Sequence, residues 1–320
     1  MNILITSVSN KVLLVEAFKN ALATQSPEGK VIGIDTDKYS AALYFCDDYM
    51  ISPRLDREDF FDFIVDLCCT HKIDLIVPTR DQDVMFFSQH GSALLKKHDM
   101  TILTPTLGTV EVCEDKYLFY KFLEEQKIPT IKSWNTISDK VRFPCVLKKM
   151  RGAGTELLLK IHHREKLEEE FSKTDNLIIQ EYIEGTEYTI DYFSDLNAVP
   201  VSIVPRIRYK VVNGESKVGI TVDDPELVLL SKKLGKALGL IGHNIIQCFR
   251  TQTNEIKILE VNPRYGGGSN LSFAAGANTP EFLLQLLVNK PVSYSGYKSN
   301  LTMIRYSKDI FIEDDKADIV

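Results

Sequence analysis

The first third of the chain alternates short apolar runs with amphipathic segments. Continuous apolar runs bounded by polar residues predict strands at 2–6, 30–37 and 73–79. Apolar residues that recur every three or four positions predict helices at 10–23, 60–69 and 83–98. Because strands that alternate with helices build parallel sheets covered on both faces, residues 1–105 are interpreted as an α/β domain.

The predicted strands of this domain end in polar residues. Ser7 follows the first strand, Asp35 closes the second, and Thr79, Arg80 and Asp81 end or follow the third. Ligands of parallel α/β sheets bind at the carboxyl ends of the strands, so Arg80 is a candidate substrate contact. A surface ion pair is the alternative for Arg80. No G-x-G-x-x-G motif follows the first strand, which argues against a dinucleotide site here.

The rest of the chain predicts a mixture of helices and antiparallel strands. Residues 106–135 favour a helical bridge. Between 144 and 183 the pattern is strand, glycine-containing turn, strand, helix and strand. The remaining sequence is rich in strands, with one helix at 225–238 and a hairpin at 244–261. The predicted fold class is therefore α/β at the N-terminus and α+β in the C-terminal part.

Composition and charge limit the classes of partner. The net charge is −6 and no Lys/Arg-rich run occurs, which argues against nucleic acid or an anionic membrane. No apolar stretch approaches the ~20 residues of a membrane span, and the N-terminus lacks the features of a signal peptide. The six cysteines form no C-x-x-C pair and the histidines lack metal-ligand spacing. We therefore expect a cytoplasmic protein with reduced thiols and no zinc site.

Three oxygen-bearing side chains are predicted to share one face of the last hairpin. Glu260 and Asn262 are two residues apart on a strand, so their side chains point the same way. A four-residue turn that pairs Thr251 with Ile256 would place Gln247 opposite Glu260. Carboxylate and carbonyl oxygens are the ligands that Mg²⁺ takes together with substrate phosphates. A solvated polar face is the alternative interpretation.

Two turns earlier in the chain could contact a nucleotide. In "KKMRGAGTE" a glycine-containing turn follows Lys148, and such a turn can surround a phosphate with backbone N–H groups. Lys148 could supply a positive charge there. An ordinary hairpin would have the same sequence pattern and is the alternative interpretation. In "IIQEYIEG" an apolar strand runs into a glutamate-rich turn, which suits an adenine ring but equally a solvated strand end.

The order of these features resembles the ATP-grasp family and, within it, the carbamoyl-phosphate-synthase-like carboxylate–amine ligases. Lys116 in "EDKY", Lys148 before the glycine turn, "QEYIEG" and "EVNPR" follow one another along the chain. The resemblance extends over essentially the whole sequence. It implies a pre-ATP-grasp domain at 1–105, linker helices and a small lid lobe at 106–185, and a large lobe with the Mg/ATP and substrate site at 186–320.

The resemblance also implies ATP and Mg²⁺ as cofactors and assigns residues to them. The implied ATP contacts are Lys116, Lys148, Gly152, Gly154, Thr155, Glu181, Tyr182, Ile183 and Glu187. The implied metal ligands are Gln247, Glu260 and Asn262. The implied catalytic residues are Lys148 and Arg264, and Arg264 would face the transferred phosphoryl group or the acyl phosphate. The implied substrate contacts are Arg80, Gly266, Gly267, Gly268 and Ser269.

The lid sequence departs from the pattern of the resemblance. That pattern reads K-P-x-x-G-x-G-S-x-G, whereas this chain has Lys149 for the proline, Thr155 for the serine and Leu157 for the last glycine. The phosphate contacts of the lid are therefore less well defined than the fold. Further candidate contacts to anions are Arg206, Arg208 and Lys217.

The implied reaction is ATP-dependent joining of a small-molecule carboxylate to an amine through an acyl phosphate. The alternatives are an enzyme that uses carboxyphosphate, as in carbamoyl phosphate chemistry, and a non-catalytic nucleotide-binding protein. The sequence names neither the acid nor the amine, and a homodimer is compatible with it.

Overall fold

Residues 2–102 form a parallel five-stranded sheet. The computed structural model describes residues 1–96, 99–152, 158–212 and 214–313. The strands are β1 (Asn2–Thr6), β2 (Val31–Asp35), β3 (Asp48–Ile51), β4 (Ile73–Val77) and β5 (Thr101–Ile102). They lie in the order β3-β2-β1-β4-β5. The order reverses between β1 and β4, which is the switch point at which sheets of this type bind ligands.

Helices cover both faces of this sheet, as the sequence predicts. They are α1 (Val12–Gln25), α2 (Phe60–His71) and α3 (Asp81–Leu95), with a short 3₁₀ helix at Ala41–Phe45. Successive residues of β1 point to opposite faces, so Ile3 and Ile5 pack with Phe18 of α1 while Leu4 packs with Ile64 of α2. The three predicted strands are confirmed. The sequence pattern misses β3, which is mostly exposed, and β5, which has only two residues.

The predicted helical bridge consists of two helices, α4 (Leu107–Glu114) and α5 (Lys116–Glu125). The break between them is at Asp115, whose carboxylate accepts the backbone N–H of Tyr117 at 2.9 Å and of Leu118 at 3.0 Å. Asp115 therefore caps α5 and fixes Lys116 as its first residue. Both helices pack into the core of the large sheet described below, through Cys113 of α4 and Phe119 of α5.

A four-stranded antiparallel sheet follows the bridge. It contains β6 (Ser133–Trp134), β7 (Cys145–Lys149), β8 (Leu158–Ile161) and β9 (Leu177–Glu181), in the order β6-β9-β7-β8. Helix α6 (Arg164–Phe171) packs on one face through Leu167, which contacts Leu147, Ile161 and Ile179. The core of this unit is small, and its other face carries Lys148.

A six-stranded antiparallel sheet forms the C-terminal half. Its strands are β10 (Gly185–Ser194), β11 (Pro200–Val212), β12 (Glu215–Thr221), β13 (Gly242–Thr251), β14 (Ile256–Asn262) and β15 (Thr302–Ile304). They lie in the order β14-β13-β10-β11-β12-β15. The helices of this part are α7 (Pro225–Leu238), α8 (Asn270–Ala274) and α9 (Thr279–Leu287). The predicted fold class, a parallel N-terminal sheet followed by antiparallel sheets, is confirmed.

The hairpin β13–β14 has the predicted pair at its centre, but its turn differs from the predicted one. Gln247 lies opposite Glu260, as predicted, but Ile256 lies opposite Arg250 and not opposite Thr251. The turn is one residue shorter than expected, because Thr251 donates its N–H to the carbonyl of Glu255. A β-bulge between Gln247 and Cys248 restores the register, since one residue of β14 is left unpaired there. The predicted turn was wrong, and the bulge compensates for the error.

The N-terminal sheet and the large sheet share one core. Phe282 and Leu283 of α9 pack with Phe18 of α1, and Phe193 of β10 belongs to the same cluster. Strand ends of the N-terminal sheet are therefore held at a fixed place beside the large sheet. None of the helices in the described ranges is long and apolar enough to cross a membrane.

Candidate functional site

One face of the six-stranded sheet is polar and the other is apolar. On the apolar face Ile190, Ile246 and Val261 pack against α7. On the polar face Thr189 lies opposite both Arg206 and Gln247. Residues that lie opposite each other in antiparallel strands point to the same side, so polar side chains of four neighbouring strands converge there. Such a face needs charged or polar partners. The four-stranded sheet β6-β9-β7-β8, which lies in the predicted lid lobe and is called the lid sheet below, supplies some of them.

The predicted metal ligands meet at one edge of this polar face. Gln247 lies directly opposite Glu260 on neighbouring strands. Asn262 follows two residues later on the same strand, and its amide N–H donates to the Glu260 carboxylate at 3.3 Å. This hydrogen bond leaves the carbonyl oxygen of Asn262 available to a ligand. All three side chains are half-buried, so their oxygens can be reached from the cleft.

The donor set fits a hard cation only when further oxygens are supplied. Across the described ranges, no group of three His, Cys, Asp or Glu side chains is placed to hold a metal ion. Gln247, Glu260 and Asn262 contribute a single full charge. Magnesium sites of this composition are completed by water and substrate phosphates, so the trio is suited to a metal–nucleotide complex.

Two buried lysines approach the metal edge from the other side of the cleft. Lys148, on β7, is 5% exposed, and Lys116, at the start of α5, is 6% exposed. The pKa of Lys148 is lowered to about 8, mainly by burial and also by Lys116, whereas Glu260 and Glu187 act in the opposite direction. Lys148 on the lid sheet is therefore within electrostatic reach of Glu260 on the large sheet. Two like charges held together in low dielectric favour an anionic ligand.

The turn after Lys148 is only partly described. Lys116 donates its ammonium N–H to the carbonyl of Gly152 at 3.0 Å. Gly152 has φ +90°, a conformation that glycine adopts without strain. The guanidinium of Arg151 pairs with Asp115 at 2.9 Å, which ties the turn to the cap of α5. The predicted ATP contacts Gly154 and Thr155, and the atypical Leu157, lie outside the described residues.

The predicted adenine segment connects the lid sheet to the large sheet. The Glu181 carboxylate accepts the backbone N–H of Lys132 at 2.9 Å and pairs with the Lys257 ammonium at 2.7 Å. Tyr182 and Ile183 follow in the connection to β10 and are half-buried. The Lys160 ammonium lies 3.6 Å from the centroid of the Tyr182 ring, a cation–π contact.

Glu187, the predicted ribose contact, lies on β10 close to this segment. Its carboxylate forms an ion pair with Arg208, whose guanidinium also donates to the carbonyl of Gly214 at 2.6 Å. Arg208 therefore orients Glu187 and is not an isolated anion contact.

Arg264 connects the large sheet to the N-terminal sheet. Its guanidinium forms a bidentate pair with Asp81, with Nε–Oδ1 and Nη2–Oδ2 distances of 2.7 and 2.8 Å. Asp81 is the first residue of α3, and Arg80 immediately before it is exposed. A bidentate pair of this kind fixes geometry as well as charge. Arg264 thus lies where the polar face of the large sheet meets the switch point of the N-terminal sheet.

A buried hydrogen-bond network supports the glycine-rich loop that follows Arg264. Ser269 accepts the N–H of Gly266 at 3.1 Å and donates its hydroxyl to Asp191 at 2.6 Å. Arg206 donates to the same carboxylate at 2.5 Å. A Cβ atom at Gly268 would lie 2.7 Å from the Arg206 guanidinium, so a side chain at this position would displace Arg206. The carbonyl of Gly267 accepts a hydrogen bond from Arg305.

Sequence reasoning misses the centre of this network. Asp191 and His243 are buried in strands β10 and β13, close to apolar residues in the sequence. The imidazole of His243 lies 3.1 Å from Asp191 and 2.9 Å from Thr279, and it stacks on the Tyr265 ring at 4.3 Å. Burial opposes the ionisation of Asp191, but Arg206 and His243 outweigh it and hold its pKa well below the usual value. The only sequence signal for this network is a polar residue placed among apolar neighbours in a strand.

Two family models match the chain. Residues 3–103 match "PylC-like, N-terminal domain", and residues 173–309 match "ATP-grasp in the biosynthetic pathway with Ter operon". The chain therefore carries an ATP-grasp domain that is preceded by a PylC-like N-terminal domain. The matched ranges cover nearly all of the parallel sheet and all of the polar-faced sheet described above.

Relatives and solved structures of this superfamily agree with that placement. The carbamoyl phosphate synthase large chain of Thermoanaerobacter sp. (strain X514) is 26% identical over 244 residues, which are 68% of this chain and 23% of that protein. The D-alanine–D-alanine ligase of Marinomonas sp. (strain MWYL1) is 25% identical over 216 residues, 58% of this chain and 68% of that protein. This ATP-grasp chain therefore spans about a quarter of the length of the matched synthase.

The overall fold has a close counterpart among solved structures. The biotin carboxylase domain of the Hydrogenobacter thermophilus 2-oxoglutarate carboxylase superposes with a TM-score of 0.74 at 15% identity, over 94% of this chain and 73% of that one. That domain was solved with MgADP, ADP and bicarbonate. At this level of identity the likeness establishes the two-lobed ATP-grasp fold.

Proposed function

We propose that this ATP-grasp protein is an ATP-dependent ligase that joins a carboxylate to an amine. The observation that carries the proposal is the cleft between the two antiparallel sheets, where Glu260, Asn262 and Gln247 face the buried Lys148. A cation site with one carboxylate opposite a buried lysine suits the phosphates of a nucleotide. The relative named D-alanine–D-alanine ligase supports amide formation as the reaction class.

The residues present fit Mg²⁺ bound with ATP. Glu260 would supply the negatively charged ligand, and Gln247 and Asn262 would supply carbonyl oxygens. Bound there, Mg²⁺ would neutralise charge on the phosphates during transfer. The proposed ATP contacts are Lys116, Lys148, Gly152, Gly154, Thr155, Glu181, Tyr182, Ile183 and Glu187.

The chemistry requires position and charge neutralisation, and no covalent step on the protein. A carboxylate oxygen of the acid attacks the γ-phosphorus of ATP, and the bond to the β-phosphate oxygen breaks to give an acyl phosphate and ADP. The amine then attacks the acyl carbon, phosphate leaves, and the amine nitrogen loses a proton. Lys148 holds phosphate oxygens in a site with little water, where its charge is most effective. Arg264 orients the acid at the junction of the two sheets, and Gly266, Gly267, Gly268 and Ser269 approach it with backbone groups.

In the proposal, each domain has its own part in binding the substrates and ATP. Residues 1–105 form the pre-ATP-grasp domain that contacts the acid, in part through Arg80. Residues 106–185 form the linker helices and the lid lobe, and residues 186–320 form the large lobe. The substrates are a small-molecule carboxylate and an amine, and the protein acts in the cytoplasm, which the six free cysteines support. A homodimer is part of the proposal.

A second candidate function is chemistry that proceeds through carboxyphosphate. The relatives named carbamoyl phosphate synthase large chain favour it. The chain spans only 23% of the first of those proteins, so their whole activity is a weaker guide than the site itself.

The test is an ATP-dependent phosphate-release assay with pooled carboxylates and amines, followed by mass spectrometry. An amide product whose formation requires ATP and Mg²⁺ would support the ligase. Turnover that depends on bicarbonate would favour the second candidate. Nucleotide binding without turnover under any condition would contradict both and leave a nucleotide-binding protein.

A further inference from the structure

The loops at the switch point of the N-terminal sheet carry two basic side chains, and the proposed function uses only one of them, Arg80. The loop after β1 ends in Lys11, and the loop after β4 carries Arg80. These are the two central strands between which the strand order reverses. Crevices at such points bind ligands in α/β sheets because two neighbouring loops diverge there.

The two loops are built to stay together at this crevice. The Thr79 hydroxyl donates to the carbonyl of Thr6 at 2.6 Å and to that of Ser7 at 2.9 Å. Ser7 and Ser9 have φ of 49° and 46°, the left-handed region that costs a serine about 1 kcal/mol or more. Two strained residues in one short loop indicate that its shape is selected for something other than stability.

The carboxylates around the crevice already have partners, whereas the cations are less satisfied. Asp81 pairs with Arg264, Asp83 accepts the Thr6 hydroxyl at 2.6 Å, and Asp35 accepts the Ser9 N–H at 2.9 Å. The pair with Arg264 neutralises the charge of Asp81, whereas the uncharged donors Thr6 and Ser9 orient the carboxylates of Asp83 and Asp35 without neutralising them.

The two basic side chains of the crevice, Lys11 and Arg80, have no hydrogen bond or ion pair with a carboxylate of the described residues. The Lys11 ammonium donates to the backbone carbonyl of Ser7 at 2.9 Å, an uncharged acceptor. Arg80 is exposed, and its guanidinium forms no hydrogen bond or ion pair with another described residue.

The electrostatic environment of Lys11 suits an anionic ligand. The pKa of Lys11 is lowered to about 8, mainly by burial and also by Arg264 and Arg80, against the opposite effect of Asp83 and Asp35. A bound anion would offset the repulsion from the two arginines.

We propose that this crevice binds a second anionic group of the acid substrate, held by Lys11 and Arg80. The inference rests on the proposed function, since the reacting carboxylate belongs beside Arg264 and Asn262. Arg264 bonds to Asp81, the residue next to Arg80, so one small molecule can span from the metal edge to the switch point. The substrate class is therefore an acid with a second anionic group, either a dicarboxylate or a carboxylic acid that carries a phosphate; both are called dianions below because they have two anionic groups.

The experiment compares dianionic and monoanionic acids in thermal-shift titrations of the full chain with saturating Mg²⁺ and a non-hydrolysable ATP analogue. The probes are glutarate and succinate, 3-phosphonopropionate, and butyrate as the monoanion. We expect a dianion to bind at least tenfold more tightly than butyrate, and Lys11→Met to abolish most of that difference. The relative affinity of the dicarboxylates and the phosphonate distinguishes the two kinds of anion.

Matched variants separate a binding role from a structural one. Lys19→Met on α1 removes an ion pair with Asp47, 2.7 Å long in the wild type, away from the crevice, and it should leave dianion binding unchanged. Lys11→Arg should retain binding and should keep it above pH 8, where the wild type loses it. Arg80→Met should weaken dianion binding less than Lys11→Met does, because Arg80 is exposed.

Two results would overturn the assignment. One is dianion affinity in Lys11→Met equal to that of the wild type. The other is a wild-type protein that binds none of the dianions better than butyrate. The nucleotide alone is titrated in the same series, so a failure of nucleotide binding would count against the proposed function and not against this crevice.

Discussion

Asp191 and Lys148 are both buried charges on the polar side of the large sheet, but their surroundings differ. Asp191 has four hydrogen-bonding partners, among them Arg206 and His243. The Lys148 ammonium forms no hydrogen bond with another described residue and has Lys116 as a neighbouring like charge. The pKa of Asp191 is lowered, which favours its charged form, and the pKa of Lys148 is also lowered, which disfavours its charged form. The charge of Asp191 is compensated by groups of the protein, whereas the charge of Lys148 requires a ligand.

The contrast between Asp191 and Lys148 is tested most directly by removing the charge of Asp191. Asp191→Asn would leave the buried Arg206 without an anion, and it should destabilise the protein by about 3–5 kcal/mol. Denaturant unfolding without ligands measures this loss. The exposed Asp175→Asn serves as the control and should change stability by less than about 0.5 kcal/mol. A loss in Asp191→Asn no larger than in the control would show that the network contributes little.

The next largest effect is expected at the metal edge of the cleft. Glu260→Gln removes the only full charge among the three proposed ligands, and a loss of ~3 kcal/mol in the transition state lowers the rate roughly 100-fold. The Mg²⁺ concentration for half-maximal phosphate release should rise. Unfolding without nucleotide should change little, because Gln is nearly isosteric.

Glu255→Gln, in the exposed turn of the same hairpin, is the matched control for that measurement. Asn262→Ala should act in the direction of Glu260→Gln but more weakly. A folded Glu260→Gln protein with unaltered rate and unaltered Mg²⁺ dependence would show that "EVNPR" is only the end of a strand.

The sequence predicts those parts of the molecule whose signal is local. Apolar runs identify β1, β2 and β4, and the spacing of Glu260 and Asn262 places both on one face without knowledge of the fold. The pairing of Gln247 with Glu260 was also predicted, although the assumed turn was wrong and a bulge restored the register. Strand patterns indicate which residues share a face more reliably than they indicate where a turn begins.

Long-range partners carry no comparable signal. The pair of Arg264 with Asp81 joins residues 183 positions apart, and nothing near either residue specifies the other. In the sequence Asp191 and His243 are only polar residues within strands, and their contact becomes apparent only in the fold. Lys11 looks like an ordinary residue before a helix, since its role depends on the switch point that sheet order creates.

Removing the charge of Lys148 should have the opposite effect on stability to removing that of Asp191. Lys148→Met relieves a buried, unpaired ammonium, so it should stabilise the protein without ligands by about 1–3 kcal/mol at pH 7. The charged form is disfavoured in the folded state below pH 8, and the cost disappears as pH rises from 8 toward the unfolded value of 10.5. The gain should therefore shrink by pH 10. Nucleotide binding should weaken in the same variant, whereas the exposed Lys140→Met should change neither quantity.

The smallest expected effect is the pH dependence of nucleotide binding, and it sharpens the contrast between the two buried charges. In the free protein Lys148 loses its proton near pH 8, while the phosphates of ATP are already ionised there. Binding then requires a proton to be taken up, so affinity should fall by at most about tenfold per pH unit above 8. Calorimetry in two buffers of different ionisation enthalpy counts that proton directly. Lys148→Arg cannot lose its charge in this range, and it should bind nucleotide with no proton uptake. If the wild type and Lys148→Arg take up the same number of protons at pH 9, then Lys148 is not the group that meets the phosphates.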